Sequence, residues 1–252
     1  MTFTTQAYII KRRTYREYDK VVTLYTPQFG KIEAVAIGTK KLLSKLSGQL
    51  EPLQQVCVQL TRGKGLSRIA QVVGGAHFFQ KFGDDLTSIV WAQKSLALID
   101  RLVPWKESQR GLYDRLEKYF DLMLFAHDES ASVLMAPVLT IGFGWQMAGL
   151  LGYKPIMTMC VACGVRIGNF GAHFFDIAGG GLCCAKCLAT KDLPPTGMEL
   201  TQTAKQYLAD IVAKPLDFLL EYTGTSGEFI TIQNLFDRFV QYHFPTYVNQ
   251  RS

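Results

Sequence analysis

The sequence predicts an α+β protein with an N-terminal β-barrel over residues 1–80 and an α-helical bundle over residues 81–252. An inserted four-cysteine module at about residues 156–190 interrupts the helical part. Three observations support this division. Short β-branched and aromatic runs between turn signals fill the N-terminal third. The apolar period changes to 3.6 residues after residue 84. Two Cys-x2-Cys pairs then separate the earlier helices from the later ones.

The N-terminal third predicts five short strands and contains no helical period. Turn residues at 27–30 and 63–65 separate two pairs of these strands. Several short strands in a small domain favour a closed barrel, because closure leaves no exposed sheet edge. The predicted strands are Ala7–Arg13, Lys20–Tyr25, Ile32–Gly38, Leu53–Thr61 and Ser67–Val73.

Positive charge is concentrated in this predicted barrel. Residues 1–80 contain 12 Lys and Arg against 4 Asp and Glu, a net charge of +8, whereas the whole chain carries +6. Basic side chains with interleaved aromatic rings favour single-strand binding on an OB-type barrel, since the cations neutralise phosphates and the rings stack with bases. A solvated charged face over core aromatics is the alternative. The candidate nucleic-acid contacts are Lys11, Arg12, Arg13, Arg16, Lys20, Lys31, Lys40, Lys41, Lys45, Arg62, Lys64 and Arg68, and the interleaved aromatics are Tyr8, Tyr15, Tyr18, Tyr25 and Phe29.

Two amphipathic helices follow the barrel. The first runs from Leu86 to Ile99 and is closed by Pro104, and the second covers Leu112 to Leu124. Residues 130–153 then carry no charge and are long enough to resemble a membrane span. Pro137 and four glycines interrupt this segment, so a buried helix, kinked near Pro137, is the favoured interpretation.

Three further helices are predicted after the cysteine module. One begins at Thr201 or Thr203 and ends at Ala213, one starts at Pro215 and reaches Tyr222, and the last spans Thr231 to Phe244. We expect them to pack with the earlier helices into one bundle, which the cysteine module staples.

The cysteine module has the spacing of a structural zinc site. Cys160 and Cys163 form one Cys-x2-Cys pair, and Cys184 and Cys187 form the other. Disulfides, a redox pair or unliganded thiols are the alternatives. Cys183 could replace Cys184, but only Cys184 keeps the x2 spacing. A closed four-thiolate set leaves no coordination position for water, so the site predicts structural Zn²⁺ rather than catalysis.

No other feature of the sequence indicates an enzyme. The four histidines are scattered, and no carboxylate pair or nucleophile set is evident. A zinc-dependent nucleic-acid enzyme would need an open zinc position and a His-x-Glu or Cys-x-Glu motif at the zinc site. Four cysteines close the site, and the His-x-Glu triplet at residues 127–129 lies outside the cysteine module. A second alternative, an RNA-binding adaptor with a structural zinc site, stays open because an OB-type barrel does not distinguish RNA from DNA by sequence. The N-terminus lacks the pattern of a secretion signal, which predicts a cytoplasmic protein.

Three groups of motifs resemble the RecO family of bacterial recombination mediators. The first is Glu17–Thr26 followed by Phe29-Gly30-Lys31, and the second is Gly38–Lys41 continuing to Glu51-Pro52. The third is Leu151–Pro155 leading into the two cysteine pairs, with Phe175-Asp176 and Gly180-Gly181 between them. The motifs occur in the expected order over most of the chain.

The resemblance implies a non-enzymatic protein with an OB fold, a helical body and a zinc module. It implies binding of single- and double-stranded DNA, annealing of complementary strands, and loading of recombinase onto DNA coated with single-strand-binding protein, in the nucleoid. The implied partners are RecR and the acidic C-terminal tail of single-strand-binding protein. A helical groove with basic residues at its mouth would suit that tail, and the candidates are Arg101, Lys106, Arg110 and Arg115.

Overall fold

A computed structural model describes residues 2–39, 48–63, 65–168, 173–190, 197–222 and 224–245. The chain divides into two compact units, of which the first covers Met1–Ala136 and the second covers Pro137–Ser252. The predicted α+β class is confirmed, since the first unit holds a five-stranded barrel and both units contain helices.

The strands of the barrel pair in the order β1-β2-β3-β5-β4, and β4 pairs back with β1. The parallel pair is β3 with β5, and all the other neighbours are antiparallel. The long strand β1 belongs to both sides of the barrel, because its first half pairs with β4 and its second half with β2. The strands are β1 (Thr2–Thr14), β2 (Lys20–Thr26), β3 (Gly30–Ala36), β4 (Gln54–Thr61) and β5 (Ser67–His77).

Alternating apolar residues fill the barrel interior, as the period-2 pattern of a strand requires. In β4, for example, Val56, Val58 and Leu60 are buried, while Cys57 and Gln59 between them are half-buried. The same cluster includes Ile9 and Leu24 from the neighbouring strands. Burial of these side chains is the main force that closes the barrel.

Three helices complete the first unit: α1 (Phe78–Phe82), α2 (Leu86–Leu102) and α3 (Arg110–Asp128). Asp85 caps α2 by accepting a hydrogen bond from the Ser88 backbone N–H at 3.1 Å. Its carboxylate also lies 3.1 Å from His127 Nδ1 at the end of α3. An aromatic stack joins helix to barrel, since the Phe120 ring packs 5.2 Å from Tyr8 and 4.2 Å from Phe78.

The helix α4 (Ser132–Leu150) continues from the first unit into the second, with Pro137 inside it. In the second unit its glycines permit close packing, because a Cβ at Gly142 would lie 2.2 Å from Leu219 and one at Gly144 would lie 2.4 Å from Phe236. By length and composition alone, α4 could cross a membrane, but 67% of its apolar window is buried inside the protein. A core helix passes the same test, and its burial here agrees with the predicted buried helix.

The rest of the second unit surrounds a small antiparallel sheet in the order β7-β6-β8. The last helix, α7, begins at Ser226 rather than at the predicted Thr231, because Thr225 and Glu228 form a capping box. The elements are β6 (His173–Asp176), β7 (Gly181–Cys183), α5 (Ala185–Thr190), β8 (Met198–Leu200), α6 (Gln202–Ala213), a 3-10 helix (Leu216–Glu221) and α7 (Ser226–His243).

The division into units differs from the predicted single bundle. Helices α1, α2 and α3 belong to the unit that contains the barrel, whereas α6 and α7 belong to the unit that contains the cysteine pairs. The predicted boundary near residue 80 falls inside the first unit. It remains a prediction of where a separable N-terminal domain would end.

Candidate nucleic-acid interface and metal centre

Strand register brings several connecting segments to one end of the barrel. Lys20 at the start of β2 pairs with Ala36 at the end of β3. Arg68 at the start of β5 pairs with Val35 and with Thr61 at the end of β4. The segments that leave this end, which we call the loop end, include residues 15–19, 37–39, 62–63 and 65–66.

The β1–β2 loop presents aromatic rings and a cation together. Tyr15 is 43% exposed and Tyr18 is 48% exposed, and the Arg16 guanidinium lies 5.1 Å from the centroid of the Tyr15 ring. The Asp19 carboxylate accepts a hydrogen bond of 2.9 Å from the Gly38 N–H, which ties the loop to the end of β3. Exposed rings beside an arginine suit base stacking and phosphate binding.

Two more arginines flank the β4–β5 connection. Arg62 and Arg68 are exposed, and neither makes an ion pair with any residue that the structure describes. Leu66 nearby is 38% exposed. The loop end therefore holds three exposed arginines, Arg16 included, whose charges are available to a polyanion.

Three other candidate DNA contacts are engaged by acidic groups. Lys11 Nζ lies 2.5 Å from an Asp100 carboxylate oxygen, Arg12 pairs with Glu51, and Arg13 lies 3.3 Å from Glu33. The acidic partners offset these positive charges, so we expect the three residues to attract a phosphate less strongly than the arginines of the loop end do.

Lys31 has a different environment from the one that we expected. It is only 2% exposed, its ammonium donates a hydrogen bond to the Asp100 carbonyl oxygen, and it lies 4.7 Å from the centroid of the Trp105 ring. Burial lowers the pKa of Lys31 to about 8. Because the ammonium is enclosed at the end of α2, we remove Lys31 from the candidate DNA contacts.

The remaining candidates divide into two groups. Lys20 is half-buried at the start of β2. Lys40, Lys41, Lys45 and Lys64 lie outside the described residues. Their proposed contacts with DNA remain predictions.

The four candidate partner-binding residues lie along the α2–α3 connection. Arg101 is exposed in the last turn of α2, and Lys106 is exposed in the loop with a positive φ of 60°. Arg110 forms a 3.0 Å ion pair with Asp114, one turn later in α3. Arg115 is half-buried in α3. Their part in a peptide groove stays a prediction.

The structure assembles the predicted cysteine set into one cluster. The sulfurs of Cys160, Cys163, Cys184 and Cys187 all lie within 4.8 Å of one another, so they could hold one metal ion. The first pair lies in a turn in which the Gly164 N–H donates to the Cys160 carbonyl at 2.9 Å. The second pair lies at the start of α5, just after β7.

Backbone amides prepare one of these sulfurs as a thiolate. Burial raises the pKa of Cys160, but N–H groups of Cys184, Ala162 and Cys163 that point at the sulfur outweigh it and lower the pKa to about 6. The Cys184 N–H lies 3.3 Å from Cys160 Sγ. A thiolate is the form that binds a metal.

Cys183 is excluded from the cluster by its position in the sheet. It is 8% exposed on β7, where it pairs with Phe174, and burial raises its pKa to about 11. Its side chain packs with Cys160 and Phe174 in the apolar cluster of the module. Cys184, and not Cys183, belongs to the group of four sulfurs that could hold one metal ion, which agrees with the x2 spacing.

Comparisons with known proteins agree with this arrangement. The family model for the recombination protein O N-terminal region matches residues 1–75, and that for its C-terminal region matches residues 83–251. A DNA repair protein RecO from Symbiobacterium thermophilum is 28% identical over 177 residues, 69% of this chain and 67% of the relative. One from Geobacter sulfurreducens is 29% identical over 178 residues, 71% and 70% of the two chains. Because the two models together cover nearly the whole sequence, the chain belongs to the RecO family of DNA repair proteins.

Proposed function

We propose that this protein is a non-enzymatic mediator of recombinational repair, which binds single- and double-stranded DNA and anneals complementary strands. It also helps to load a recombinase onto DNA coated with single-strand-binding protein. The observation that carries the proposal is the loop end, where exposed Tyr15, Tyr18 and Arg16 lie at the same end of the barrel as exposed Arg62 and Arg68. Family membership supports the assignment of DNA as the polyanion.

The loop end suits an OB-type mode of binding. Loops between strands 1 and 2 and between strands 4 and 5 bind oligonucleotides in OB folds, and here these loops carry the exposed arginines. Arginines that neutralise phosphates bind any sequence and reduce the repulsion between two strands, which annealing requires. The exposed tyrosines stack with bases of any identity.

The cysteine cluster is proposed to hold Zn²⁺ in a structural role. Cys163 Sγ and Cys184 Sγ lie 3.8 Å apart. Sulfurs bound to one tetrahedral zinc at about 2.3 Å would be separated by about 3.8 Å, so this pair already has the required spacing. When bound, zinc would cross-link the turn at Cys160 to the start of α5. Four protein ligands leave no position for a reacting water, which favours a non-enzymatic protein.

RecR and the acidic tail of single-strand-binding protein are the proposed partners, and the cytoplasm, with nucleoid association, is the proposed location. The basic side chains along the α2–α3 connection are our candidates for contact with the tail. Isothermal titration with a synthetic tail peptide tests them, and Arg101→Glu should weaken binding. The control is Arg238→Glu, at an exposed position of α7.

The main test of the proposal is single-strand affinity measured by fluorescence anisotropy with a labelled twelve-nucleotide DNA. If about six phosphates are contacted, affinity should fall roughly 300-fold between 50 and 200 mM salt. Arg62→Glu/Arg68→Glu should weaken binding roughly tenfold or more and flatten this salt dependence. The control Lys94→Glu/Lys118→Glu makes the same charge change at exposed positions of α2 and α3. Equal losses in both double variants would contradict the proposed interface.

The second candidate function, an RNA-binding adaptor, uses the same interface. The barrel by itself does not select deoxyribose. Competition with an RNA oligomer of matched sequence discriminates the two, since a preference for RNA would overturn the assignment to DNA repair.

A further inference from the structure

We propose that a cleft at the opposite end of the barrel from the loop end binds a single nucleotide, either free or as part of a strand. Gln6, Gln55, Gln80 and Lys81 line it, together with residues 75–77, and its volume is about 580 Å³. We call it the glutamine cleft. Its use by a strand rests on the proposed DNA binding, whereas its affinity for a free nucleotide does not.

A bulge in β5 opens the cleft. Pairing between β4 and β5 shifts register between Val56 and Cys57, opposite Gly74 and Gly75. Both glycines have positive φ, 58° and 151°, and a Cβ at Gly75 would lie 2.0 Å from the Gln55 carbonyl oxygen. Only glycine fits there without displacing β4, so the sequence builds this opening into the sheet. The cleft is open to solvent, and Gln6, Gln80 and Lys81 in its lining are exposed.

The lining groups favour an anionic ligand that carries a hydrogen-bonding ring. The side-chain amides of Gln6 and Gln80 offer paired donors and acceptors, and Gln55 adds an acceptor, which is the chemistry that recognises the edge of a base. Lys81 is exposed and supplies a cation for a phosphate, and the lining residues include no acid.

Second contacts hold one of these amides in place. Gln55 Nε2 donates to a Glu117 carboxylate oxygen at 2.7 Å and lies 3.4 Å from the Tyr113 hydroxyl oxygen. The side-chain amide oxygen of Gln55 therefore remains available as an acceptor for a ligand. His77 Nδ1 is buried without a hydrogen-bond partner in the described part of the chain.

An uncharged surface connects the two ends of the barrel. On the outer face of β1, β4 and β5, register aligns Thr4 with Gln59 and Gln71, and Gln6 with Cys57. The next row towards the loop end contains Arg68. From Thr61 to Gln55 this face extends about 20 Å, at about 3.4 Å per residue. A strand bound by the arginines of the loop end could cross these Thr and Gln rows and place one nucleotide in the glutamine cleft.

Titration with deoxynucleoside monophosphates, followed by the side-chain amide signals of the ¹⁵N-labelled protein in NMR spectra, tests the cleft directly. Signals of Gln6, Gln55 and Gln80 should shift in a saturable manner. Lys81→Glu and Gln6→Glu, both at exposed positions, should each weaken this binding at least tenfold. The matched controls Lys94→Glu and Gln93→Glu, on the exposed face of α2, should leave it unchanged.

The same variants are assayed with the twelve-nucleotide DNA and with a four-nucleotide DNA. If the cleft variants weaken the binding of the twelve-nucleotide DNA but not that of the four-nucleotide DNA, the cleft takes its nucleotide from a strand, which supports the proposal. Absence of saturable shifts, together with unchanged strand affinity in both cleft variants, overturns it. If Arg62→Glu/Arg68→Glu loses strand binding while the cleft variants have no effect in either assay, the proposed loop-end interface is supported and the proposed cleft is rejected. Cleft-dependent binding of mononucleotides without any strand binding rejects the proposed DNA interface and retains the cleft.

Discussion

At the scale of single residues, Lys31 shows how a basic side chain can serve the fold rather than a ligand. Its ammonium lies against the end of α2, where the Asp100 carbonyl accepts its hydrogen bond, and against the face of Trp105. A cation is favourable at the C-terminal end of a helix dipole. The enclosure nevertheless disfavours the charge, which is why the pKa of Lys31 falls to about 8.

This shift predicts a pH dependence of stability. Between about pH 8 and the ordinary lysine value of 10.5, the unfolded chain binds more protons at this position than the folded chain does. The free energy of unfolding should therefore rise with pH through that window. The rise should be absent in Lys31→Met and retained in Lys94→Met, an exposed lysine of α2. Urea unfolding at pH 7.5 and 9.5 measures it, and an equal change in the wild type and Lys31→Met would refute the assignment.

Ion pairing is the residue-scale property that could not be predicted from the sequence. The twelve basic residues of the first 80 positions looked equivalent in composition, yet Lys11, Arg12 and Arg13 meet acids from distant parts of the chain. Asp100, for example, lies 89 positions from Lys11. No local pattern specifies such pairs, whereas the spacing of two cysteine pairs does specify a metal cluster, because each pair depends only on its own turn.

At the scale of elements, the regular period of apolar residues predicted the helices and strands well, and local chemistry determined their ends. Asp85 caps α2, and Thr201, one of the two predicted starts of α6, caps that helix. The first strand begins at Thr2 because register with β4 recruits a Thr-rich segment that has no apolar alternation of its own. Similarly, β5 continues beyond Val73 through a bulge that depends on Gly74 and Gly75. Tertiary pairing, which is not encoded locally, extended both strands.

The capping box of α7 gives the element-scale prediction. Thr225 Oγ1 accepts from the Glu228 N–H at 3.3 Å, and the Thr225 N–H donates to the Glu228 carboxylate at 2.9 Å. Thr225→Ala should lower the free energy of unfolding by about 1 kcal/mol, because the helix loses its N-cap acceptor. Thr225→Ser keeps the hydroxyl and serves as the control. Equilibrium urea unfolding with an unchanged m-value measures the difference, and equal stability of the two variants would be inconsistent with the cap.

The pH dependence of the contribution of Glu228 provides a second check on the cap. Hydrogen bonds from Thr203 and from Thr225 lower the pKa of Glu228. A carboxylate with a depressed pKa stabilises the fold above its unfolded pKa, and that contribution is lost as pH falls through the folded pKa. The stability difference between the wild type and Glu228→Gln, which removes this carboxylate, should therefore be largest near neutral pH and should shrink in acid.

At the scale of the whole molecule, two compact units carry different tasks in the proposed function. The first contains the loop end and the glutamine cleft, both made from barrel strands and their connections. The second contains the cysteine cluster, a small sheet and the helices α6 and α7. Each of these sites is built from residues of one unit alone. A substitution in one unit therefore leaves the residues of the sites in the other unit unchanged.

Metal removal tests this division of tasks. Chelation should destabilise the second unit, because a metal that cross-links two distant turns contributes its binding free energy to folding. Hydrogen exchange should therefore increase in residues 156–190, while exchange in the barrel strands and affinity for the twelve-nucleotide DNA change less than about twofold. Cys184→Ser should lose the bound zinc. Cys183→Ser, which replaces a buried thiol outside the cluster, should retain one zinc per chain by elemental analysis. A parallel loss of DNA affinity and of barrel protection on chelation would show that the metal supports both units, and zinc retention in Cys184→Ser would contradict the assigned ligand set.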